Sequence, residues 1–318
     1  MENPETKNES RLDNVLAEVQ KDLQQAHTQT LRRQALISEL EKSRKSKLMV
    51  YVSKLEYMLD YSDIQVFSAM LDSIGVTDNV DLLLQSGGGY GVVAEKIIEM
   101  IRRYCKKEFR VIVPNLAKSA STMIAISADR IVMGATSELG PIDPQFQVNQ
   151  GGVSSSVSAQ SFLDARDRLE EETAKAVKAG EPYQAYIAQL STLNTGFIDH
   201  CEKSLKFAED FAIKALKNNM LKGKKDAVSL ATEIAQNLNS ASTYFTHGRT
   251  ISAQVIKNNP PLNQLVVDEL PLDSDEWKKL FELYTRCELF LDMDNSGNTR
   301  KGKLFETSSF SMKMDFPK

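Results

Sequence analysis

The residues best suited to chemistry in this chain are one serine and a run of glycines. Ser119 lies in the string Ala-Lys-Ser-Ala-Ser (117–121), between an apolar segment and a helix of small residues. Upstream, a second apolar segment ends in Ser-Gly-Gly-Gly (86–89). Acyl transfer needs a nucleophile together with backbone N–H groups that can face a developing oxyanion, and a glycine turn can supply such groups. The two strings therefore predict a serine-based acyl-transfer site.

Both strings have simpler interpretations. Serine is favoured at helix N-caps, so Ser119 and Ser121 could do no more than cap a helix. However, the small neighbours Ala117 and Ala120 would let a substrate carbonyl approach the hydroxyl of Ser119, and the helix dipole would favour a nucleophile there. The G-x-S-x-G elbow of α/β-hydrolases is absent. These residues alone leave both interpretations open.

The glycine run could instead bind a nucleotide. Gly89-x-Gly91-x-x-Ala94 matches the dinucleotide-binding pattern G-x-G-x-x-A. That pattern needs an acidic residue at the end of the next strand, which here ends in Val-Pro-Asn (113–115). No G-K-[S/T] string follows the run, which excludes a P-loop. We therefore favour an oxyanion hole over a nucleotide site or a purely structural turn.

Composition narrows the function classes. The chain has 318 residues, 42% of them hydrophobic and 26% charged, as is typical of globular proteins. A net charge of −4 argues against a general nucleic-acid binder. No apolar run approaches the roughly 18–20 residues of a membrane span, and the polar N-terminus does not resemble a signal peptide. The widely spaced Cys105, Cys201 and Cys287 are typical of reduced thiols, which predicts a cytoplasmic protein.

No cofactor is expected from the sequence. The histidines and cysteines do not have zinc-site spacing. The string Asp-Met-Asp-Asn-Ser-Gly (292–297) opens like a calcium loop, but its twelfth position would be Lys303, where a bidentate glutamate is needed.

The elements that must position Ser119 and the glycines alternate between strand and helix. Apolar runs predict strands at 48–52, 80–85, 109–114 and 130–133, with helices at 63–74, where Ser62 would be the N-cap, at 92–106 and after Ser119. This alternation predicts a mainly parallel α/β sheet with right-handed crossovers. Farther along, we expect a mobile polar loop at 146–160, helices at 161–179, 194–220, 227–237 and 277–290, a small α/β unit at 251–270 and a poorly ordered tail from residue 295.

The N-terminal segment predicts one long helix. Residues 8–46 contain no glycine or proline, and apolar residues recur in heptads, starting with Leu12, Leu16, Val19 and Leu23. The helix could pack on its own domain or form a coiled coil between subunits, and disorder of the segment is a third alternative.

The order of motifs resembles that of the Clp-fold serine peptidases. The motifs are Gln-Ser-Gly-Gly-Gly (85–89), Ala-Lys-Ser-Ala-Ser (117–121), Asp-Arg-Ile-Val-Met-Gly (129–134) and Ser-Glu-Leu-Gly-Pro-Ile-Asp-Pro-Gln (137–145). The resemblance is greatest to the serine dehydrogenase proteinase family, a relative of signal peptide peptidase A. It is strong across residues 80–145 and looser to about residue 270.

The resemblance implies a fold, an activity and an assembly. The fold would be Clp/crotonase-like, an α/β fold of repeated ββα units over residues 47–270, with an N-terminal helix at 1–46 and a C-terminal helix and tail at 271–318. The activity would be that of an ATP-independent serine peptidase acting on peptides or unfolded proteins. The assembly would be a homo-oligomer. Two alternatives are a non-catalytic or partner-activated scaffold and a crotonase-type acyl-CoA enzyme, which would use carboxylates where this chain has a serine.

Residue by residue, the resemblance assigns roles to a few positions. Ser119 matches the nucleophile, and the N–H groups of Gly88 and Ala120 match the oxyanion donors. The family's usual S-G-G is here Ser-Ala-Ser, which keeps the donor at Ala120 and places Ser121 where glycine is usual. Related peptidases use a Ser-Lys dyad, and Lys203 is the best match to the lysine that serves as general base. Its rivals are Lys175, Lys206, Lys214, His200 and His247.

Overall fold

The computed structural model of the chain describes residues 26–150, 152–244, 246–292 and 302–315, together with Val15. These residues form two compact units. Unit 1 contains the described residues up to Glu138 and from Val266 onward, and unit 2 is Leu139–Leu265. The glycine run and Ser119 belong to unit 1, whereas Lys203 belongs to unit 2.

The described residues form helices and strands in the following order. They are α1 (Ala26–Arg44), β1 (Lys47–Ser53), α2 (Tyr61–Ile74), β2 (Thr77–Gln85), α3 (Gly91–Tyr104), β3 (Cys105–Val113), β4 (Leu116–Ala117), α4 (Ala120–Ile126), β5 (Arg130–Met133), β6 (Glu138–Leu139), β7 (Gln145–Gln150), β8 (Val153–Ser158), α5 (Ala159–Ala179), α6 (Gln184–Leu190), α7 (Thr195–Asn218), α8 (Ala227–Leu238), α9 (Ala241–Tyr244), β9 (Ile251–Ser252), α10 (Ala253–Asn258), a 3-10 turn (Leu262–Gln264), β10 (Val267–Glu269), α11 (Asp275–Asp292), β11 (Gly302–Glu306) and β12 (Ser311–Asp315).

Unit 1 is built on one sheet. Within the described ranges it has seven strands in the order β10-β5-β3-β2-β1-β11-β12. The neighbours from β10 to β1 are parallel, while β11 and β12 run antiparallel. This confirms the predicted α/β fold with a mainly parallel sheet. The middle strands are apolar and buried mainly in their carboxyl-terminal parts, as Leu82, Leu83 and Leu84 in β2 illustrate, since both faces of a central parallel strand are covered there.

The sheet order brings the two motifs together. A parallel bridge joins Ser86, just after β2, to Ala117 in β4. The glycine run follows the carboxyl end of β2, and Ser119 lies a few residues beyond the carboxyl end of the neighbouring strand β3, just after the short strand β4. The carboxyl ends of parallel strands lie at one edge of a sheet, where ligands usually bind. The topology therefore places the predicted nucleophile beside the glycine turn.

Helix α2 begins earlier than the sequence suggested. Its N-cap is Asp60, whose side chain accepts a hydrogen bond from the backbone N–H of Ser62. The Asp63 carboxylate accepts the backbone N–H of Asp60 at 2.9 Å, which completes a capping box. The prediction of Ser62 as N-cap is wrong. A carboxylate at Asp60 can satisfy the backbone N–H groups and also interact favourably with the helix dipole.

Helix α1 packs on its own unit. Ile37 and Leu40 are buried in a cluster with Leu283 of α11 and Leu304 of β11. The described part of the N-terminal helix is therefore held by its own chain. The first heptad residues, from Leu12 to Leu23, lie outside the described residues, so the predicted coiled coil stays a prediction.

The C-terminal segment is ordered over residues 302–315, so the prediction of a poorly ordered tail is wrong there. Strand β11 pairs antiparallel with β1 and is buried along its whole length. Its charged residues have buried partners: Lys303 binds both oxygens of Asp63 at 2.9 Å, and Glu306 binds Arg33 at 2.8 Å. Burial raises the pKa of the Asp63 carboxyl, and the hydrogen bond from Lys303 offsets part of this effect.

Unit 2 contains a hairpin where a mobile loop was predicted. Strands β7 and β8 pair antiparallel over six residues each, from Gln145 opposite Ser158 to Gln150 opposite Val153. Gly152 has a φ of +83°, which suits a tight turn. The hairpin leads into α5, where the side chain of Ser158 accepts the N–H of Gln160 at 3.2 Å. The loop prediction is therefore wrong, because backbone pairing can order a run of polar side chains.

The predicted helices of unit 2 are present. The apolar stripe of α7 is buried at Cys201, Ala208 and Ala212. All three cysteines of the chain are free, and burial raises the pKa of the Cys287 thiol well above its usual value. Within the described ranges, none of the helices combines the length and apolar character that a membrane span requires.

Candidate active site

Ser119 has an unusual backbone conformation. It precedes α4 with φ 50° and ψ −119°, and a non-glycine residue at positive φ is uncommon. Backbone strain of this kind is concentrated at functional sites. Although Ser119 occupies the N-cap position, its side chain makes no capping hydrogen bond. Helix capping therefore does not account for this serine.

Gly88 packs directly against Ser119. A Cβ atom built on Gly88 would lie 2.7 Å from the Ser119 Cβ, 2.7 Å from the Lys118 carbonyl oxygen and 3.1 Å from the Ala120 nitrogen. Its φ of +101° also favours glycine. The structure thus brings together the predicted nucleophile and the two residues predicted to supply oxyanion donors. No side chain larger than hydrogen fits at Gly88 without displacing one of them.

Two backbone segments hold the glycine turn. On one side, the Ser86 N–H donates to the Leu116 carbonyl at 3.2 Å, and the Lys118 N–H donates to the Ser86 carbonyl at 3.0 Å. On the other side, the Leu59 N–H donates to the Gly88 carbonyl at 2.7 Å. These bonds fix the backbone on both sides of Gly88, so the direction of its N–H is set by the fold.

The N–H of Gly88 already has a partner. It donates to the hydroxyl oxygen of Ser86 at 3.1 Å, inside the protein. A substrate carbonyl could replace this bond during the reaction, and until then the Ser86 hydroxyl keeps a buried donor satisfied. Ser86 is a contributor to the site that sequence reasoning missed, although its position before the glycines was a visible signal.

Ser121, the residue that departs from the family's usual glycine, is fully buried. Its hydroxyl has no hydrogen-bond partner among the described residues, while its backbone N–H donates to the Lys118 carbonyl at 2.8 Å. An unpaired buried hydroxyl costs about 1–3 kcal/mol. We find no structural contact that explains the hydroxyl at this position.

Lys118, although adjacent to the serine, is engaged elsewhere. Its ammonium lies 3.0 Å from Glu138, and the side chain is mostly buried. This ion pair ties the segment before Ser119 to the segment after β5. Lys118 therefore has a structural role.

In unit 2, the predicted general base Lys203 lies on α7. Its ammonium lies 2.6 Å from Asp199, one helical turn earlier, and 73% of its side chain is exposed. To accept a proton, Lys203 would have to leave this ion pair and lose its proton to solvent. Among the other candidate bases, His200 packs against Phe146, with the two ring centroids 5.1 Å apart.

His247, another rival, is held by a buried carboxylate. Its Nδ1 lies 2.8 Å from Oδ1 of Asp143, whose side chain is only 2% exposed. Gln145 donates to the other oxygen of Asp143 at 2.6 Å. A carboxylate on Nδ1 orients an imidazole so that Nε2 can act as a base. No spacing in the sequence joins these two residues, although both lie in short strings that resemble family motifs.

Replacing Gly88 with alanine tests the contact with Ser119. The new Cβ would collide with Ser119 and displace the backbone around the Gly88 N–H. If the predicted serine-peptidase site is correct, we expect kcat for peptide hydrolysis to fall by about 100–1,000-fold, the range observed when an oxyanion donor is lost. The matched control is Gly75→Ala, since Gly75 also has positive φ, at +67°, but has nothing within 4 Å. If Gly88→Ala is as active as Gly75→Ala, Gly88 has no role in the reaction.

Comparison with known proteins gives a family and several relatives. A sequence profile of the family described as ClpP-like SDH-type serine proteinase matches residues 18–287. An uncharacterised protein of Methanocaldococcus jannaschii is 24% identical over 237 residues, which are 71% of this chain and 70% of that protein. A second uncharacterised protein of the same organism is 41% identical over 66 residues, or 21% of this chain and 23% of its own length.

Two solved structures give more distant matches. A serine-to-alanine mutant of the 1510-N membrane-bound stomatin-specific protease is 14% identical, with a TM-score of 0.29, covering 71% of this chain and 98% of its own. A mutant of ClpP1 from Listeria monocytogenes is 15% identical, with a TM-score of 0.26, covering 46% of this chain and 81% of its own.

Proposed function

Because the chain belongs to the ClpP-like SDH-type serine proteinase family, we propose that it is an ATP-independent serine peptidase with Ser119 as its nucleophile. One observation carries the assignment to this serine: Gly88 packs against Ser119, which itself has positive φ and makes no capping hydrogen bond. The proposed substrates are peptides and unfolded proteins. The experiment that tests the proposal is hydrolysis of denatured casein by the wild type and by Ser119→Ala.

The proposed reaction has two steps. In the first, a general base takes the hydroxyl proton, Ser119 Oγ bonds to the peptide carbonyl carbon, and the base returns the proton to the departing amine. In the second, the base takes a proton from water, the hydroxide adds to the acyl carbon, the bond between that carbon and Ser119 Oγ breaks, and the base returns the proton to Oγ. The N–H groups of Gly88 and Ala120 would stabilise the oxyanion in both steps, and losing one such donor costs about 3 kcal/mol.

We propose Lys203 as the general base, on the family resemblance of residues 198–205. A lysine can take a serine proton only when its amine is neutral, which requires the ion pair with Asp199 to open and water to be excluded. A bound substrate could provide such exclusion.

The hydrogen bond between His247 and Asp143 favours His247 as a second candidate base. The buried carboxylate would fix the His247 ring and stabilise the imidazolium formed during the reaction. The proposal for Ser119 stands with either base.

Substitutions separate the two candidates. With Lys203 as the base, Lys203→Ala should lower kcat by about 100–10,000-fold, the range contributed by general base catalysis. With His247 as the base, His247→Ala should give that loss, and Asp143→Asn a substantial part of it. Lys217→Ala is the matched control, since Lys217 is another exposed lysine on α7. Peptide hydrolysis at saturating substrate measures kcat. Full activity in both Lys203→Ala and His247→Ala would contradict both candidates.

A partner-activated or non-catalytic scaffold is a second candidate function. Two observations favour it: the Gly88 N–H is bonded to Ser86, and Lys203 is paired with Asp199. A resting site would have both features until a partner or substrate rearranged it. Homo-oligomeric assembly and a cytosolic location also remain part of the proposal, the first on family resemblance and the second on the free cysteines.

A further inference from the structure

A buried lysine joins strand β11 to the start of helix α2. The ammonium of Lys303 lies 2.8 Å from Oδ2 of Asp60 and 2.9 Å from both carboxylate oxygens of Asp63. We call these three residues the lysine brace. The side chains of Lys303 and Asp63 are fully buried. Apolar residues of similar volume often stabilise a core as well as a buried ion pair does, so stability alone does not explain the brace.

The brace holds the peptide bond between Leu59 and Asp60. Oδ2 of Asp63 accepts the Asp60 N–H at 2.9 Å, while Oδ1 of Asp60 accepts the Ser62 N–H at 2.8 Å. Burial alone would raise the pKa of Asp60, but hydrogen bonds from Lys303 and Ser62 hold that pKa below its ordinary value. The lysine thus favours the charged carboxylate at the residue that follows Leu59.

The glycine turn contacts the other side of the same peptide unit. The Leu59 carbonyl accepts the Tyr90 N–H at 2.9 Å, and the Leu59 N–H donates to the Gly88 carbonyl at 2.7 Å. A Cβ atom built on Gly89 would lie only 2.2 Å from the Leu59 carbonyl oxygen. Since the two backbones touch, a shift of the Leu59 backbone would move the turn with it.

The direction of the Gly88 N–H depends on this contact. Glycine can adopt more backbone conformations than any other residue, so its N–H keeps one direction only when the neighbouring backbone is held. The bridge between Ser86 and Ala117 holds the turn before Gly88, and Leu59 holds it after Gly88. The brace fixes Leu59 through Asp60 and therefore acts on the second of these two supports.

We propose that Lys303 is a positioning residue for the proposed oxyanion hole. Its ammonium holds Asp60 and Asp63, and these two residues fix the backbone at Leu59. Leu59 in turn fixes the direction of the Gly88 N–H. This inference rests on the proposed function, because the N–H would serve as an oxyanion donor in the same site. The family profile matches residues 18–287, so β11, which supplies the lysine, lies beyond the match.

A second buried ion pair of β11 provides the matched control. Glu306 binds Arg33 at 2.8 Å, and both side chains are fully buried. Lys303 pairs with Ser53, the last residue of β1, at the sheet edge that carries the glycine turn. Glu306 pairs with Val50, in the middle of that strand. Breaking either ion pair should lower stability, but breaking the pair at Lys303 should also affect the reaction.

The test compares Lys303→Met with Arg33→Ala and the wild type. It measures kcat and KM for a casein-derived peptide that the wild type cleaves, and Ki for a trifluoromethyl ketone of the same peptide sequence. With the ketone, Ser119 Oγ bonds to the carbonyl carbon, the hydroxyl proton passes to the general base, and the carbonyl oxygen becomes an oxyanion. Ki therefore reports on the oxyanion donors, whereas KM for the substrate depends on them less.

Lys303→Met should lower kcat by about 10–100-fold and raise Ki by a similar factor, the effect expected when a reacting group is misplaced by up to about 1 Å. KM should stay within about twofold of the wild-type value. Arg33→Ala should keep all three constants near wild-type values at a temperature where circular dichroism shows it folded. A variant that is merely less folded would raise Ki and KM by the same factor, so the ratio of Ki to KM separates positioning from stability.

Asp63→Asn is the milder variant if Lys303→Met does not fold. The amide keeps the volume of the carboxylate and an oxygen for the Asp60 N–H, but it removes one of the two oxygens that bind Lys303. It should lower kcat and raise the ratio of Ki to KM, by less than Lys303→Met does. An unchanged ratio in the folded brace variants, or an equal change in Arg33→Ala, would overturn the inference.

A covalent probe tells a failure of this inference from a failure of the proposed function. An alkyl fluorophosphonate forms a P–O bond with an activated serine hydroxyl, and fluoride and the hydroxyl proton leave. Labelling and hydrolysis by the wild type, with wild-type kcat and Ki in Lys303→Met, would overturn the positioning role alone. Absence of both labelling and hydrolysis in the wild type would overturn the proposed peptidase and this inference together.

Discussion

Ser119→Ala is expected to lower hydrolysis of denatured casein by about 10,000-fold or more, since loss of the nucleophile removes the acyl-enzyme route entirely. The fold should survive the change, because the side chain is only half-buried and makes no capping hydrogen bond. The measurement is kcat/KM, with the far-ultraviolet circular dichroism spectrum and the unfolding midpoint of both proteins recorded alongside.

Ser121→Ala is the matched control for this prediction. It removes the same hydroxyl group two positions later, from a buried site where that hydroxyl has no partner among the described residues. We expect activity close to wild type and equal or greater stability. If Ser121→Ala were inactive and Ser119→Ala active, the nucleophile would be Ser121 and the assignment to Ser119 would be wrong.

The second large effect concerns stability. Arg33 of α1 makes a two-point ion pair with Glu306 of β11, with nitrogen–oxygen distances of 2.8 Å and both side chains fully buried. Removing one partner leaves the other charge buried and unpaired, which costs about 3–5 kcal/mol. Arg33→Ala should therefore lower the free energy of unfolding by about that amount, as measured by urea titration.

A double variant provides the control for the ion pair. Arg33→Met with Glu306→Leu removes both charges and keeps apolar volume in the cavity, so it should be more stable than either single variant. Lys175→Ala, which breaks an exposed ion pair with Glu171 and Glu172, should change stability little. If Arg33→Ala unfolds like Lys175→Ala, the buried pair does not hold α1 to β11.

The sheet and the position of Ser119 between a strand and a helix could be predicted because the signals are local. The apolar runs of β2 and β3 and the helix between them follow simple periodicities. The glycine run likewise indicated a close backbone approach. The periodicities do not show which residue the glycine run approaches. Gly88 contacts Ser119, and an isolated bridge joins Ser86 to Ala117, a contact between segments about 30 positions apart in the chain.

The missed features depend on pairs that are distant in the chain. Lys303 and Glu306 make the C-terminal segment look solvent-exposed, because their partners Asp63 and Arg33 are 240 and 273 positions away. His247 and Asp143 are separated by 104 positions. Charged residues are buried only when such partners are available, and a single sequence does not show which residues will pair.

The most direct test of the central claim, that Ser119 is an activated nucleophile, is mass spectrometric mapping of the adduct formed with an alkyl fluorophosphonate. The account predicts one adduct per chain, on the peptide containing Ser119, and no adduct in Ser119→Ala. An adduct on a different residue, or casein cleavage by wild-type protein that remains unlabelled, would contradict it.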